Sequence, residues 1–272
     1  MILINKQIIV KQRIYKVFKF SYLCYSIVMS MRAFVLNCPV DLCNIDEALL
    51  RSKEAIENNS CFHIVTINPE MIMNAQNNHD FFNILNSSEL NIPDGIGVKI
   101  ALLINGYKAE RIPGIDFAKK LLEYCDKNSL PVAIIGAKSA VLEQAVINLK
   151  NEFKNLDIVY THDGYFTDSN EIINNLKEKE PKLVLIAMGA PKQEEFAYQA
   201  KKELKTGLFI GIGGSLDVWS GNLKRAPRFF QNTGTEWLYR TIVQPERFKR
   251  IFPALPLFIL NVLKHKIMNR SL

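Results

Sequence analysis

The chain has 272 residues, of which 48% are hydrophobic and 22% charged, and this composition is typical of a globular protein that buries a core. The net charge is +7, and residues 240–272 supply +6 of it with seven Lys/Arg and one Glu. The nearly neutral body argues against a nucleic-acid-binding protein. A basic tail rich in Phe, Ile and Leu favours contact with an anionic membrane surface instead.

The five cysteines are scattered and include no C-x-x-C pair, which predicts reduced thiols in the cytosol. The four histidines are also dispersed, so no metal site is predicted from them.

Residues 1–30 differ from the rest of the chain. The apolar run Val17–Met29 contains Lys19 and is shorter than the roughly 20 residues that span a bilayer. Basic residues precede the run as in a signal peptide, but no small-x-small cleavage site follows it. Either this extension touches a membrane, or it is upstream sequence before a start at Met29 or Met31. We favour the second interpretation because a strand signal begins just after it.

From residue 31 onwards, short apolar strands alternate with helices of about ten to fifteen residues. The predicted strands are 32–36, 62–67, 132–135, 156–160, 183–188 and 208–212. This alternation predicts an α/β fold with a Rossmann-like parallel sheet and helices on both faces over residues 31–234. A helical, basic C-terminal appendage is predicted over residues 235–272.

Polar residues and glycines follow the predicted strands, at the sheet edge where open α/β proteins bind ligands. Thr66 and Asn68 follow one strand, although either could simply cap the next helix. Glycine turns follow three others, at Gly136, Gly189 and Gly213-Gly214. These turns allow the backbone to approach a nucleotide, but none matches G-x-G-x-x-G.

Charged and amide side chains in the same loops are candidates for chemistry. Asp94, in a P-D-G turn, is either a general base at a loop tip or a turn residue. Arg111 could clamp a phosphate, pair with a carboxylate or lie on the surface. Gln193 and Glu194 follow Pro191 either as site residues or as ordinary helix-start chemistry. Asp217 is either a ligand group or a buried turn carboxylate.

Residues 211–250 hold seven Lys/Arg and three Asp/Glu, with Trp237 among them. The forked guanidinium group of arginine suits the binding of phosphate oxygens, so this stretch is a candidate phosphate site. The alternative interpretation is that it is only a basic, solvated helix pair. A helix is predicted from Thr235 to about Val243, with an interruption at Pro245. The apolar residues 257–263 suit a helix lying in a membrane interface or one docked on the domain's own core.

Nine motifs in order resemble the WecG/TagA/CpsF glycosyltransferase family over roughly residues 32–263. They are Thr66-x-Asn68-Pro69-Glu70, Pro93-Asp94-Gly95-x-Gly97, Glu110-Arg111-x-x-Gly114, Asp163-Gly164-Tyr165-Phe166, Gly189-x-Pro191-Lys192-Gln193-Glu194, Gly211-x-Gly213-Gly214-x-x-Asp217, Lys224-Arg225-Ala226-Pro227, Glu236-Trp237-Leu238-Tyr239-Arg240 and Pro245-x-Arg247-x-x-Arg250.

The resemblance implies an inverting transfer of an N-acetylmannosamine-type sugar from a UDP-sugar to an undecaprenyl-diphosphate-linked N-acetylglucosamine. It places the reaction at the cytoplasmic membrane face, in wall teichoic acid or related surface-polymer synthesis. It assigns Asp94 as the base. The substrate-binding candidates are Thr66, Asn68, Arg111, Gly136, Gly189, Gln193, Glu194, Gly213, Gly214, Asp217, Arg225, Trp237, Arg240, Arg247 and Arg250.

An inverting transfer is one displacement and needs one base for the acceptor hydroxyl. The chain contains no Asp-x-Asp, so we expect no metal and no cofactor, with the tail arginines neutralising the leaving diphosphate. The expected partners are the UDP-sugar, the polyprenyl-diphosphate acceptor and an anionic membrane, with homo-oligomerisation left open. The expected location is peripheral, on the inner face of the membrane. We hypothesise that the C-terminal tail folds over the site only when it is docked on that membrane.

Three alternatives remain at this point. A family member could use UDP-N-acetylmannosaminuronate or UDP-glucose as donor, and a uronate would call for one more cation such as Lys192 or Lys224. A nucleotide-dependent oxidoreductase with a Rossmann-like sheet would be expected to carry G-x-G-x-x-G, which is missing. The third is a non-catalytic membrane-associated binding protein.

Overall fold

The structure is a computed structural model that describes residues 31–243 and 248–270. The predictions for Val17–Met29, Pro245 and Arg247 lie outside the described residues.

Two sheets form within the described residues. The strands are β1 (Met31–Val35), β2 (Cys38–Leu42), β3 (Cys61–Ile67), β4 (Leu90–Pro93), β5 (Pro131–Gly136), β6 (Asp157–His162), β7 (Leu183–Ala187) and β8 (Gly207–Gly211). Strands β3 to β8 form the main sheet in the order β4-β3-β8-β7-β5-β6, and its neighbouring strands pair in parallel. The predicted Rossmann-like parallel sheet is therefore confirmed. Strands β1 and β2 form a separate two-stranded sheet.

Helices connect the strands and cover the main sheet. They are α1 (Ile45–Glu57), α2 (Pro69–Ala75), α3 (His79–Ser87), α4 (Ile96–Ile104), α5 (Gly114–Asn128), α6 (Ser139–Glu152), α7 (Asn170–Lys179), α8 (Lys192–Glu203), α9 (Ser215–Trp219), α10 (Arg228–Thr233), α11 (Glu236–Val243) and α12 (Phe248–Arg270). Helix α1 begins as its sequence predicts. Asn44 and Glu47 form a capping box in which each side chain accepts a hydrogen bond from the other residue's backbone N–H.

The central strands β5, β7 and β8 are continuous apolar runs because helices bury both of their faces, whereas the edge strand β6 is partly exposed. In β7, Leu183 and Leu185 pack into the core cluster that contains residues of α5 and α6. The alternate residues Val184 and Ile186 pack into the cluster with residues of α7 and α8. A third cluster joins β1, β2 and part of β3 to α2, α3, α4 and α12.

Strand β4 is absent from the strands that the sequence predicts, yet it pairs in parallel with β3 at one edge of the sheet, just before the turn at Asp94. Its outer side is held by the buried carboxylate of Asp41, which accepts a hydrogen bond of 2.7 Å from the Asn91 backbone N–H. Arg32 and Arg51 pair with the same carboxylate at 2.9 and 3.3 Å. These contacts hold the short strand β4 in place, and Asp94 follows directly after its last residue.

Helix α12 docks on the core through one face. Phe258 and Val262 are buried in the third cluster, whereas Leu260, Leu263 and Ile267 on the opposite face are exposed. The interpretation of a C-terminal helix docked on the domain's own core is thus confirmed, and its outward face is apolar as well. No helix in the described parts of the chain combines the length and the apolar character that a membrane span requires.

We expect Phe258→Ala to lower the free energy of unfolding by about 3 kcal/mol, because it removes a fully buried ring and leaves a cavity. The matched control is Leu260→Ala on the exposed face of the same helix, which should change stability by less than about 0.5 kcal/mol. Denaturant unfolding measures both. Equal, small effects would show that α12 does not dock as described.

Candidate active site

A cavity of about 810 Å³ lies at the carboxyl edge of the main sheet. The loops after β3, β4, β5, β7 and β8 each contribute to it, at Asn68, Asp94, Ala137, Gly189 and Gly213. This is the edge at which open parallel sheets bind ligands. A cavity of this volume is of the size that holds a small-molecule ligand.

Most of the predicted site residues line this one cavity. They are Thr66, Asn68, Asp94, Arg111, Gly189, Gln193, Gly213, Gly214, Asp217 and Trp237. Gly136 and Glu194 are not among the lining residues but directly adjoin Ala137 and Gln193, which are. Arg225 is likewise not among the residues that line the cavity. The backbones of Arg240 and Arg250 belong to α11 and α12, but their side chains, like all of Arg247, lie outside the description.

Asp94 is half-buried where β4 meets the cavity. Its backbone N–H donates to the Ile67 carbonyl at 2.9 Å, which ties it to the end of β3. Its Oδ2 faces the start of α5, 3.5 Å from where a Cβ on Gly114 would stand. That Cβ would also come within 2.9 Å of the Thr66 methyl group. Glycine at position 114 therefore allows Asp94, Thr66 and α5 to meet.

Thr66 and Asn68 both have structural hydrogen bonds. The Thr66 hydroxyl donates to the Gly211 carbonyl at 3.1 Å and so links β3 to the end of β8. The Asn68 Oδ1 accepts from the Met71 N–H at 3.0 Å and caps α2, as the capping interpretation predicted. The cap uses the Asn68 amide oxygen, and both residues are among those that line the cavity.

Gln193 joins two glycine loops from the first turn of α8. Its Oε1 accepts hydrogen bonds from the backbone N–H of Gly189 at 3.2 Å and of Gly213 at 3.1 Å. Its Nε2 donates to Oε1 of Glu194 at 2.7 Å. Both side chains are buried, and no hydrogen-bond partner faces the Glu194 Oε2. Burial raises the pKa of Glu194 from 4.5 to about 8, so the carboxyl group is protonated at neutral pH.

A chain of alternating charges connects α11 to the body. Arg111 donates to the Glu236 carboxylate at 3.2 Å and to the Gln231 carbonyl at 2.6 Å. Glu236 also lies 3.7 Å from Nε of Arg225. Arg225 in turn binds Asp116 through two hydrogen bonds of 2.6 Å. Arg225, a predicted substrate ligand, is thus committed to carboxylates, and Arg111 has the carboxylate partner that the sequence left open.

Several lining residues were absent from the sequence prediction, namely Lys138, Tyr165, Glu236 and Leu255. Tyr165 and Glu236 belong to two of the nine family motifs, and membership of those motifs could have identified them as site residues. Lys138 adjoins the turn at Gly136, and Leu255 comes from α12, far along the chain. Among the described residues, no three His, Cys, Asp or Glu side chains come together as a set that could hold a metal ion.

The fold and the cavity define an α/β protein with an enzyme-like ligand site at the carboxyl edge of a parallel sheet. The chain belongs to the glycosyl transferase WecG/TagA/CpsF family, whose model matches residues 33–272. The chain is therefore a glycosyltransferase, and the oxidoreductase alternative is not supported.

Two curated relatives are similar over most of their length. One, from Bacillus subtilis (strain 168), is named N-acetylglucosaminyldiphosphoundecaprenol N-acetyl-beta-D-mannosaminyltransferase. It is 37% identical over 204 residues, which are 75% of this chain and 79% of that protein. The other, from Bacillus spizizenii (strain ATCC 23059 / NRRL B-14472 / W23), has the same name. It is 34% identical over 212 residues, which are 78% of this chain and 82% of that protein.

The buried carboxyl of Glu194 predicts a pH dependence of stability. The folded chain keeps a proton there that the unfolded chain releases above about pH 4.5, so stability is lost as the pH rises from 4.5 to about 8. Glu194→Gln, which has no proton to lose, should be the more stable protein near pH 8, by more than about 1 kcal/mol.

Thermal unfolding midpoints between about pH 5 and pH 8 test this prediction. Glu143→Gln, at an exposed position on α6, is the matched control and should follow the wild type throughout. Parallel curves for wild type and Glu194→Gln would mean that Glu194 does not hold a proton in the folded protein.

Proposed function

We propose that the chain transfers N-acetylmannosamine from UDP-N-acetylmannosamine to N-acetylglucosaminyl-diphosphoundecaprenol, with inversion at the anomeric carbon. The names of the two Bacillus relatives support this acceptor and this sugar. The observation that carries the mechanism is the position of Asp94, a half-buried carboxylate on the wall of a cavity at the carboxyl edge of the sheet. The product would enter wall teichoic acid or a related surface polymer.

Asp94 acts in this proposal as the general base. As the acceptor hydroxyl oxygen attacks the anomeric carbon, its proton passes to the Asp94 carboxylate, and the bond from that carbon to the UDP oxygen breaks. UDP leaves with the bonding electron pair. One displacement inverts the anomeric centre, so a single carboxylate is enough.

The leaving diphosphate needs more positive charge than the described wall supplies. Within the described residues, the wall carries two Lys/Arg side chains against four Asp/Glu side chains, namely Lys138 and Arg111 against Glu70, Asp94, Asp217 and Glu236. Arg111 is already paired with Glu236. We propose that the arginines of the appendage over residues 235–272, Arg240, Arg247 and Arg250, bring the missing charge to the diphosphate. The proposal requires no metal and no cofactor.

The lipid acceptor places the reaction at a membrane, and α12 offers a surface suited to it. The stripe formed by Leu260, Leu263 and Ile267 is exposed on the helix face opposite Phe258 and Val262, and Lys264 borders it. We propose that this stripe rests on the inner face of an anionic cell membrane, with the enzyme peripheral to it.

The central experiment measures UDP release from UDP-N-acetylmannosamine with the lipid-diphosphate acceptor and excess chelator. Wild type should release UDP only when acceptor is present, with or without chelator. Asp94→Asn keeps the shape of the side chain but removes the base, so turnover should fall by about 100-fold or more while UDP still binds. Asp80→Asn, at an exposed position on α3, is the control and should match wild type.

Each other outcome has a defined meaning. Loss of wild-type activity with chelator would show that a metal takes part. Faster turnover with UDP-N-acetylmannosaminuronate or UDP-glucose would support the proposed glycosyl transfer but show that the donor sugar is a different one. Undiminished turnover in Asp94→Asn would rule out the proposed base, and no turnover with any donor would favour a non-catalytic binding protein.

Membrane association makes a separate prediction. Replacing both Leu260 and Leu263 by Ser removes two leucines from the exposed stripe, so partitioning onto phosphatidylglycerol-containing vesicles should weaken by about tenfold or more. Ile147→Ser, at an exposed apolar position on α6, should leave partitioning unchanged. Cosedimentation measures both, and equal binding by all three proteins would show that the stripe does not contact the membrane.

A further inference from the structure

Glu194 does not line the cavity, yet it is bonded to a residue that does. It lies in the first turn of α8 with no exposed surface, and its Oε1 accepts the hydrogen bond from Nε2 of Gln193. Gly211 makes room for this contact. A Cβ at Gly211 would stand 2.4 Å from the Gln193 Nε2 and 2.7 Å from the Glu194 Oε1.

A side-chain amide has one accepting end and one donating end, and its orientation decides what it can hold. At Gln193 the accepting end takes the N–H groups of both Gly189 and Gly213. In the reversed orientation the amide NH₂ would face these two N–H groups, and both part-buried donors would lose their acceptor.

The acceptor on the other side of the amide selects between the two orientations. Glu194 offers an oxygen to the Gln193 Nε2 whether its carboxyl group is protonated or ionised. With the carboxyl proton on Oε2, the reversed amide would place its oxygen against the Glu194 Oε1 and lose the hydrogen bond, and it would regain one only if that proton moved to Oε1. Glu194 therefore favours the orientation that ties the loop after β7 to the loop after β8.

We propose that Glu194 is a positioning residue of the active site: its Oε1 fixes the amide of Gln193, and through that amide it holds the two glycine loops of the cavity wall in register. The inference rests on the proposed function only in assigning those loops to the binding of the UDP-sugar. The part of the proposal that concerns the contacts of Glu194 with Gln193, and of Gln193 with the two loops, does not depend on the identity of the substrate.

The test compares two replacements of similar size. Glu194→Gln keeps an oxygen that can accept from the Gln193 Nε2, whereas Glu194→Met fills the volume and offers no such oxygen. Glu195→Met, on the exposed side of the same turn, is the matched control. Hydrogen exchange of the Gly189 and Gly213 amides and of the Gln193 side-chain NH₂ is followed by NMR, and UDP affinity is measured by calorimetry.

In Glu194→Met we expect exchange of both glycine amides to accelerate by about tenfold or more, and the Kd for UDP to rise by a similar factor. Glu194→Gln should stay within about threefold of wild type in both measurements, and Glu195→Met should match wild type. In wild type, the Gln193 side-chain NH₂ should exchange slowly, and this signature requires no variant.

Three results would overturn the proposal: rapid exchange of the Gln193 NH₂ in wild type, wild-type behaviour of Glu194→Met, or equal losses in Glu194→Met and Glu194→Gln. The last would show that filling the site matters and the acceptor does not. If wild type fails to bind UDP, the proposed function is at fault, and the exchange data still decide whether Glu194 positions the loops.

Discussion

The central strands of the main sheet are buried on both faces, and this constraint governs where the protein can meet a ligand. Strands such as β7 offer nothing but apolar side chains, and their backbone groups are used in the parallel ladder. Polar groups become available where the strands end. Asp94 and the glycine loops after β7 and β8 therefore meet at one edge, although long stretches of chain separate them.

The parts of the fold that could be predicted from the sequence are those set by local pattern. Strands such as β5 and β8 are apolar runs bounded by glycine or proline, and α1 has its own capping box. Strand β4 could not be predicted in this way. It has four residues, includes Asn91, and depends on the carboxylate of Asp41 fifty residues earlier in the chain. Only tertiary contacts make it a strand.

The candidate site follows the same division. Asp94, Thr66 and Gln193 could be located because they follow strands in recognisable motifs, and the structure gathers them around one cavity. The partners of the arginines could not be predicted. Arg111 meets Glu236 across 125 positions, and Arg225 meets Asp116 across 109. Sequence pattern identifies which side chains have useful chemistry, but long-range contacts decide which of them are already occupied.

The two C-terminal helices are attached to the body by different forces. Helix α11 is linked at Glu236 through the charge chain of Arg111, Arg225 and Asp116, whereas α12 is held by buried apolar side chains. Dissolved salt screens partly exposed ion pairs and leaves apolar packing intact or strengthened. Cooling weakens apolar packing. Ionic strength and temperature thus act separately on the two helices, so that α11, which brings Glu236 and Trp237 to the cavity wall, can loosen while α12 stays in place.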